Sequence, residues 1–296
     1  MPVEPELTIK RLEVYLREAI APRVYRGAQP VEVLAWQLRD PKAPIPGPAS
    51  AWAGPFEPVP VPWLWGPKWS TAFLKVEGSI PTGDLTPVLR FSSGTEAMVW
   101  SRSGEQWIAR QGLDVNRDEV WFSSEERDSG SFAFLIEAAC NHPFGVTGFE
   151  WDDAEVHRRW KSETPGVLER CEIALRDETV FSLRHRYAFA LDLLKQLGPA
   201  APRGSELLGV LLSVAAGMPD DEALARIEAT LATRADAAAT ACHAVGHAHI
   251  DTAWLWPIRE TRRKCLRTFT NQLNLMERFP DYVFMCSQAQ QYAWIE

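Results

Sequence analysis

The sequence lacks most of the features that mark secreted, membrane-spanning or nucleic-acid-binding proteins. Its five cysteines are widely spaced and form no C-x-x-C pair, which argues against a disulfide framework and against a cysteine zinc site. The longest apolar stretch, 207–218, is too short to cross a bilayer, and the first residues contain no apolar signal segment. Acidic residues outnumber basic ones by 39 to 31, so no phosphate-binding surface is expected. We therefore expect a cytoplasmic protein with neither nucleic acid nor membrane as a partner.

The sequence does contain enough apolar side chain for folded domains. Its 296 residues are 46% hydrophobic and 24% charged, a balance that excludes a disordered chain. Tryptophan is unevenly distributed: ten of the 13 lie at or before Trp160, none lies between 161 and 253, and three follow. We therefore expect a multidomain α+β protein whose successive segments differ in kind.

Local patterns divide the chain into four segments. Leucine and isoleucine at near-helical spacing predict an amphipathic helix over 5–20, whereas the Pro-rich stretch 41–67 favours a structured arm whose tryptophans pack on a neighbour. After residue 70, short alternating runs separated by turn residues are typical of an antiparallel sandwich. The predicted domains are a helix and Pro/Trp-rich arm at 1–69, a jelly-roll-like β-sandwich at 70–155, a helical connector at 156–240, and the first βαβ unit of an incomplete α/β barrel at 241–296.

Helical periodicity predicts the connector. The pattern recurs at 155–161, 165–177, 185–197, 205–217 and 220–238. Asp220 and Asp221 precede the last of these runs, so they are predicted to cap that helix.

The last segment predicts a parallel βαβ unit. A strand is expected at 243–251, followed by a helix that starts near Pro257 and ends at Phe279, and a buried strand at 282–286. Two strands joined by a helix in this order form the beginning of a parallel sheet or barrel.

The densest group of metal-ligand side chains lies in GHAHIDTAWLWP, residues 246–257. On an extended strand, His247, His249 and Asp251 would point to one face, and Gly246 would let another element come close. Two imidazoles and a carboxylate suit a divalent metal that takes one or two further ligands from elsewhere. A single strand histidine is more often a hydrogen-bonded core residue, but this alternating group is costly to bury without partners.

The same residues resemble a known family. HAHIDTAWLWP is similar to the H-x-H-x-D-x-x-W signature of class II α-mannosidases, glycoside hydrolase family 38, in their cytosolic or bacterial form. The downstream runs RK..RTF, LM..FP and SQ..QY.W match the same family, and the likeness is sharp over about 243–296.

The resemblance implies specific roles. His249 and Asp251 would be ligands of one divalent metal, zinc in most members and cobalt in some. Trp254 would form a wall of the mannose subsite, and His247 would support the site without binding the metal. In the family, the metal holds vicinal sugar hydroxyls during retaining hydrolysis of terminal α-mannosyl residues of oligosaccharides.

The resemblance also implies that the catalytic centre is incomplete here. The family's nucleophile and acid/base lie well beyond the H-x-H-x-D strand, so no catalytic residue is expected within the 296 residues. We therefore expect an N-terminal portion, inactive by itself, of an enzyme of mannose metabolism whose full-length subunits can form a homo-oligomer.

Two other readings remain open. Amidohydrolase-like zinc hydrolases also carry an H-x-H on their first strand, and a non-catalytic carbohydrate-binding remnant would retain the aromatic sandwich. The basic run over 259–267 is interpreted as a solvated helix face. It comprises Arg259, Arg262, Arg263, Lys264 and Arg267.

Overall fold

The computed structural model describes residues 5–141, 154–233, 240 and 242–296. The chain forms two compact units, which are described separately. The first, the helical unit, contains the described parts of Met1–Ala28, Gly83–Pro87 and Ala174–Ala241. The second, the sandwich unit, contains those of Gln29–Thr82, Val88–Ile173 and Cys242–Glu296. None of the helices in these ranges combines the length and apolarity needed to span a membrane.

Helices and strands alternate irregularly along the chain. The helices are α1 (Pro5–Tyr15), α2 (Pro48–Trp52), α3 (Ser124–Ser129), α4 (Ala154–Trp160), α5 (Glu178–Leu197), α6 (Pro202–Ala215), α7 (Asp220–Leu231), α8 (Ile258–Arg278) and α9 (Ala289–Ala293), and α1 continues through a π-helical turn (Leu16–Ile20) and a 3-10 turn (Ala21–Arg23). The strands are β1 (Tyr25–Pro30), β2 (Val33–Leu38), β3 (Glu57–Val59), β4 (Trp63–Trp65), β5 (Thr71–Ser79), β6 (Thr86–Ser92), β7 (Glu96–Ser103), β8 (Gln106–Leu113), β9 (Glu119–Trp121), β10 (Ser131–Ala139), β11 (Gly166–Leu168), β12 (Arg170–Arg176), β13 (Gly246–His247) and β14 (Phe284–Met285).

The helical unit has an apolar core. Helix α5 begins where the Asp177 side chain accepts a hydrogen bond from the Val180 backbone N–H at 3.2 Å. Its apolar face then packs against α1, α6 and α7, as expected for amphipathic helices. The largest buried side chains of this core are Leu12, Ile20, Leu183, Tyr187, Leu191, Leu194, Leu207, Leu211 and Ile227.

The predicted cap of α7 is wrong. Pro219 occupies the N-cap position, and no side chain caps the helix. Asp220 lies inside the first turn, where its carboxylate is 2.6 Å from the guanidinium of Arg23. A carboxylate in the first turn still interacts favourably with the helix dipole.

Two sheets form the layers of the sandwich. One sheet has the strand order β1-β12-β6-β9, and the other has the order β3-β2-β5-β10-β7-β8. Strand β10 is central, with Phe134 opposite Val76 of β5 and Ile136 opposite Val99 of β7. Because side chains alternate along a strand, Phe134 and Ile136 enter the core between the sheets, whereas Leu135 and Glu137 are buried on the opposite face, where Leu135 joins a second apolar cluster.

Most predicted strands of the sandwich are confirmed, and one predicted helix is wrong. Strands β5, β6, β7, β9 and β10 coincide with the alternating runs. The stretch 165–177, predicted to be helical, instead forms β11 and β12, because Cys171 and Ile173 are buried in the sandwich core. Residues 142–153 of the predicted sandwich and 234–239 of the predicted connector lie outside the described residues.

The Pro-rich arm contains more regular structure than expected. It includes α2, β3 and β4, and β3 pairs with β2 at the edge of the larger sheet. Trp65 is fully buried in the sandwich core, which confirms that tryptophans of the arm pack on a neighbour. The four predicted domain boundaries stay predictions.

The C-terminal segment forms the predicted βαβ unit, but its strands are shorter than expected. The second strand is not the buried strand predicted at 282–286, because Val283 and Met285 are more than half exposed. Strands β13 and β14 pair in parallel, with Gly246 opposite Phe284 and His247 opposite Met285, and α8 connects them. The predicted strand at 243–251 is wrong outside 246–247, because the chain leaves the pairing after His247. The fold class is confirmed: a jelly-roll-like sandwich, a helical region and the beginning of a parallel α/β arrangement.

Candidate functional site

A glycine places the first strand of the βαβ unit against its neighbour. The Gly246 N–H donates to the Val283 carbonyl at 2.7 Å. A Cβ atom on Gly246 would lie 2.1 Å from the Tyr282 hydroxyl oxygen, a distance that no real side chain tolerates. The expected close approach at Gly246 is therefore confirmed, and Tyr282 is the residue that requires it.

Two glutamines hold the backbone immediately before Asp251. The Ile250 carbonyl accepts hydrogen bonds from the side-chain amides of Gln288, at 3.1 Å, and Gln291, at 2.5 Å. Thr252 Oγ1 lies 2.6 Å from Gln288 Oε1. Gln291 is fully buried, so its hydrogen bonds form in a low-dielectric setting where they are strong. These contacts fix residues 250–252 although they no longer belong to a strand.

The Thr261 hydroxyl organises the loop that follows. Thr261 is fully buried on α8, and its Oγ1 accepts hydrogen bonds from Ala253 N and from Trp256 Nε1, both at 3.0 Å. The same hydroxyl lies 3.4 Å from the Asp251 carbonyl oxygen, to which it can donate. One side chain therefore satisfies three polar groups of residues 251–256. Sequence reasoning missed this residue; an alcohol in the first turn of a helix that follows a ligand motif is the signal that could have identified it.

Trp254 is held in an unusual backbone conformation and faces solvent. Its φ angle is 142°, and that of Ala253 is 58°, values that L-residues rarely adopt. Its side chain is 61% exposed and meets Trp256 edge to face, with 5.5 Å between ring centroids. Backbone strain of this kind, roughly 1–3 kcal/mol per residue, persists where surrounding contacts enforce it and is common at functional sites.

The three ligand-type residues of the motif do not form a closed metal site. His247 and His249 are exposed, and Asp251 is half-buried. Strand alternation does not place His249 and Asp251 on one face with His247, since the strand ends at His247. Within the described ranges, no group of three or more histidine, cysteine, aspartate or glutamate side chains could hold a metal ion. His249 and Asp251, the two ligands predicted from the sequence, do not complete a metal site within these ranges.

The basic run on α8 is not a solvated face, contrary to expectation. Arg267 is 5% exposed and donates hydrogen bonds to both Glu96 and Glu260, and Lys264 Nζ lies 2.6 Å from Glu96 Oε1. Arg263 pairs with Glu260 at 3.1 Å. We call these five residues the α8 charge cluster.

The α8 charge cluster shifts the pKa of two of its members, Glu96 and Arg267. Burial alone would raise the pKa of Glu96, but the charges of Arg267 and Lys264 outweigh it and lower that pKa to about 2. Burial would lower the pKa of Arg267, and Glu260 and Glu96 raise it instead. Glu96 and Arg267 therefore stay ionised at neutral pH. Spacing could have revealed it, because Glu260, Lys264 and Arg267 follow one another by four and three residues on one helix face.

Helix α8 also covers the edge strand of the larger sheet. Asn271 Oδ1 accepts from Gly112 N at 2.9 Å, and its amide donates to the Gly112 carbonyl at 3.0 Å. Asn274 donates to the Arg110 carbonyl at 2.8 Å. The two asparagines thus satisfy backbone groups that an edge strand otherwise leaves open.

Two family models of glycoside hydrolases match the chain. The family model described as "Alpha-mannosidase, jelly roll domain" matches residues 29–182, and "Glycosyl hydrolases family 38 N-terminal domain" matches residues 239–296. The chain belongs to glycosyl hydrolase family 38, the α-mannosidases. The resemblance seen in the H-x-H-x-D-x-x-W motif is thereby confirmed, and neither match supports an amidohydrolase.

Individual relatives agree with this assignment. The chain is 31% identical to human alpha-mannosidase 2C1 over 287 residues, which are 93% of this chain and 26% of the relative. It is 28% identical to alpha-mannosidase G of Dictyostelium discoideum over 244 residues, or 77% of this chain and 22% of the relative. It is 55% identical to the alpha-mannosidase of Saccharomyces cerevisiae over 56 residues, which are 19% of this chain and 5% of the relative. The chain thus spans about a quarter of the length of the first two of these relatives.

Proposed function

We propose that the chain is the N-terminal part of an α-mannosidase that removes terminal α-mannosyl residues from oligosaccharides with retention of configuration. The exposed and strained Trp254 is the observation that carries the proposal; it lies in a loop whose Asp251 carbonyl and Ala253 N–H both contact the buried Thr261 hydroxyl. An aromatic ring fixed in this way offers a face on which a sugar ring can stack. The family match supplies the substrate class, an α-mannoside.

In this proposal, His249 and Asp251 bind one divalent metal ion, zinc or alternatively cobalt. His247 lies on the paired part of the strand, two residues before His249, and supports the ligands without binding the metal. Zinc sites in proteins usually have three or four protein ligands, so two ligands leave the set incomplete. The rest of the enzyme, which corresponds to the part of the relatives outside the matched quarter, would supply the remaining ligands, the nucleophile and the acid/base. Alone, the chain is then inactive.

The proposed compartment is the cytoplasm. All five cysteines are free thiols, and Cys140, Cys171, Cys265 and Cys286 are buried. Burial raises the pKa of the Cys140 and Cys171 thiols to about 12, which keeps them protonated and unreactive. Reduced structural cysteines support a reducing environment.

Metal titration of the full chain tests the ligand assignment. We expect weak binding of Zn²⁺ or Co²⁺, followed by calorimetry or Co²⁺ absorption, and a loss of at least tenfold in affinity in His249→Ala and in Asp251→Ala. His247→Ala should have a smaller effect. The matched control is Asp281→Ala, an exposed carboxylate outside the motif. Tight stoichiometric binding that survives both ligand substitutions would contradict the assignment.

Hydrolysis of p-nitrophenyl α-mannoside tests the activity. The chain alone, supplied with zinc or cobalt, should show no turnover. A chimera in which the chain replaces the aligned quarter of human alpha-mannosidase 2C1 should hydrolyse the substrate and lose that activity in Asp251→Ala. Turnover by the chain alone that His249→Ala abolishes would show that the centre is complete here.

A further inference from the structure

A cavity of about 310 Å³ lies between the end of the larger sheet and α8. Asp114 and Arg117, from the turn after β8, form one wall. His249 and Trp256 form a second wall, and Thr268 and Gln272 of α8 form the third. The volume is at the lower end of the range of small-molecule sites. The sandwich and the βαβ segment therefore share one polar cavity although they are more than a hundred residues apart in sequence.

The turn that forms the first wall is rigid. Asp114 and Arg117 exchange two backbone hydrogen bonds, of 3.2 and 3.0 Å, and Asp114 Oδ1 accepts from Asn116 N at 2.8 Å. The Asn271 pair with Gly112 holds the same strand end against α8. Walls fixed before a ligand arrives reduce the entropy lost on binding.

Charges around the cavity are paired within the protein. Glu96 is paired with Lys264 and Arg267, Arg267 is also paired with Glu260, and Asp114 Oδ2 lies 3.7 Å from Arg117 Nη1, so three carboxylates face three cations. A cavity with balanced charge offers donors and acceptors without favouring a net charge on the ligand. Hydroxyl, amide and guanidinium groups beside an indole suit a neutral polyhydroxylated ligand, which is the chemistry of a saccharide.

We propose that this cavity is a saccharide subsite, in which Arg117 and Thr268 determine specificity for the sugar next to the terminal mannose. The inference rests on the proposed function, since it places the terminal residue at His249 and Asp251. It adds residues of the jelly-roll sandwich and of α8 to substrate recognition. The sandwich is then a part of the binding site as well as a structural domain.

Ligand-observed NMR titration of the full chain in EDTA tests the subsite. An α-linked mannobiose should bind more tightly than mannose by at least threefold, and cellobiose should bind more weakly than mannobiose. Arg117→Gln should weaken mannobiose binding about tenfold, the effect of one charge-assisted hydrogen bond. Arg17→Gln is the matched control, because Arg17 is an exposed arginine outside the cavity that pairs with the adjacent Glu18. Thr268→Val, nearly isosteric, should also weaken binding and guards against misfolding of the Arg117 variant.

Several results would overturn the inference. These are absence of mannobiose binding, unchanged affinity in both Arg117→Gln and Thr268→Val, or displacement of the sugar by inorganic phosphate, which would identify an anion site. The metal titration is measured separately, so the two failures can be told apart. Normal metal results without mannobiose binding would refute the subsite alone. Arg117-dependent mannobiose binding with metal affinity unchanged in His249→Ala and Asp251→Ala would refute the proposed metal site and leave the saccharide site.

Discussion

Helices α5 and α8 have nearly the same length, 20 and 21 residues, but bury opposite kinds of surface. The buried face of α5 is apolar and includes Leu183, Leu191 and Leu194. The buried face of α8 includes Glu260, Lys264, Arg267 and Asn271, whereas Leu273 is 60% exposed.

The difference follows from what each helix packs against. Helix α5 meets other apolar helix faces, so burial of its leucines is favourable, at roughly 25 cal/mol per Å². Helix α8 meets an edge strand with open backbone groups and the carboxylate of Glu96, so only polar side chains can satisfy that surface. Apolar periodicity locates both helices, but it predicts the buried face only when the partner is apolar.

Removal of Arg267, the central cation of the α8 charge cluster, should change the unfolding free energy most. In Arg267→Met, Glu96 loses one partner and Glu260 loses its closest one, so the unfolding free energy should fall by about 3–5 kcal/mol. Urea denaturation followed by far-UV circular dichroism measures the change. Arg262→Met, on the exposed side of α8, is the control and should change stability by less than about 1 kcal/mol. A similar small change in both variants would show that the cluster does not stabilise the docking of α8.

Truncation of a leucine should lower the unfolding free energy strongly in α5 and only slightly in α8. Leu194→Ala in α5 creates a cavity in a fully buried site and should cost about 2–5 kcal/mol. Leu197→Ala, one turn later and 42% exposed, and Leu273→Ala in α8 should each cost less than about 1 kcal/mol. Equal losses at Leu194 and Leu273 would contradict the opposite burial of the two helices.

Acid should weaken the polar packing of α8 before it weakens the apolar packing of α5. The pKa of Glu96 is lowered to about 2 in the folded state, from 4.5, so its contribution is complete above about pH 4.5 and is lost as the pH falls towards 2. The stability difference between the wild type and Glu96→Gln should be up to about 3 kcal/mol near pH 6 and should shrink across this interval. Glu105→Gln, an exposed carboxylate, is the control. A difference independent of pH would refute the ionised pairing.

The smallest effect on stability is expected from removal of one buried hydroxyl, that of Tyr187, in the apolar core. The Tyr187 hydroxyl is buried and makes no hydrogen bond within the part of the chain that the structure describes, and its burial raises the pKa of the phenol. Tyr187→Phe removes a polar group without a partner, so stability should stay within about 1 kcal/mol or increase. Thermal unfolding measures it. A loss of several kcal/mol would indicate a hydrogen bond to the hydroxyl.

Much of the fold was predictable because local patterns and packing agree. Strands β5, β6, β7 and β10 alternate in sequence as they do in the sandwich, and Phe279 and Pro280 mark the end of α8. The stretch 165–177 was misassigned because it contains helix-forming residues, but pairing within the sheet buries Cys171 and Ile173 and outweighs that preference.

The sequence by itself determined the order of the segments, the βαβ unit and the family motif around His249, since these depend on spacing along the chain. Tertiary structure alone decided that α8 buries its charges, that Thr261 contacts both sides of the strained Trp254, and that Arg117 shares a cavity with His249. These features depend on which surfaces meet after the chain folds. Burial and electrostatic pairing are properties of the facing residues, which lie far apart in sequence.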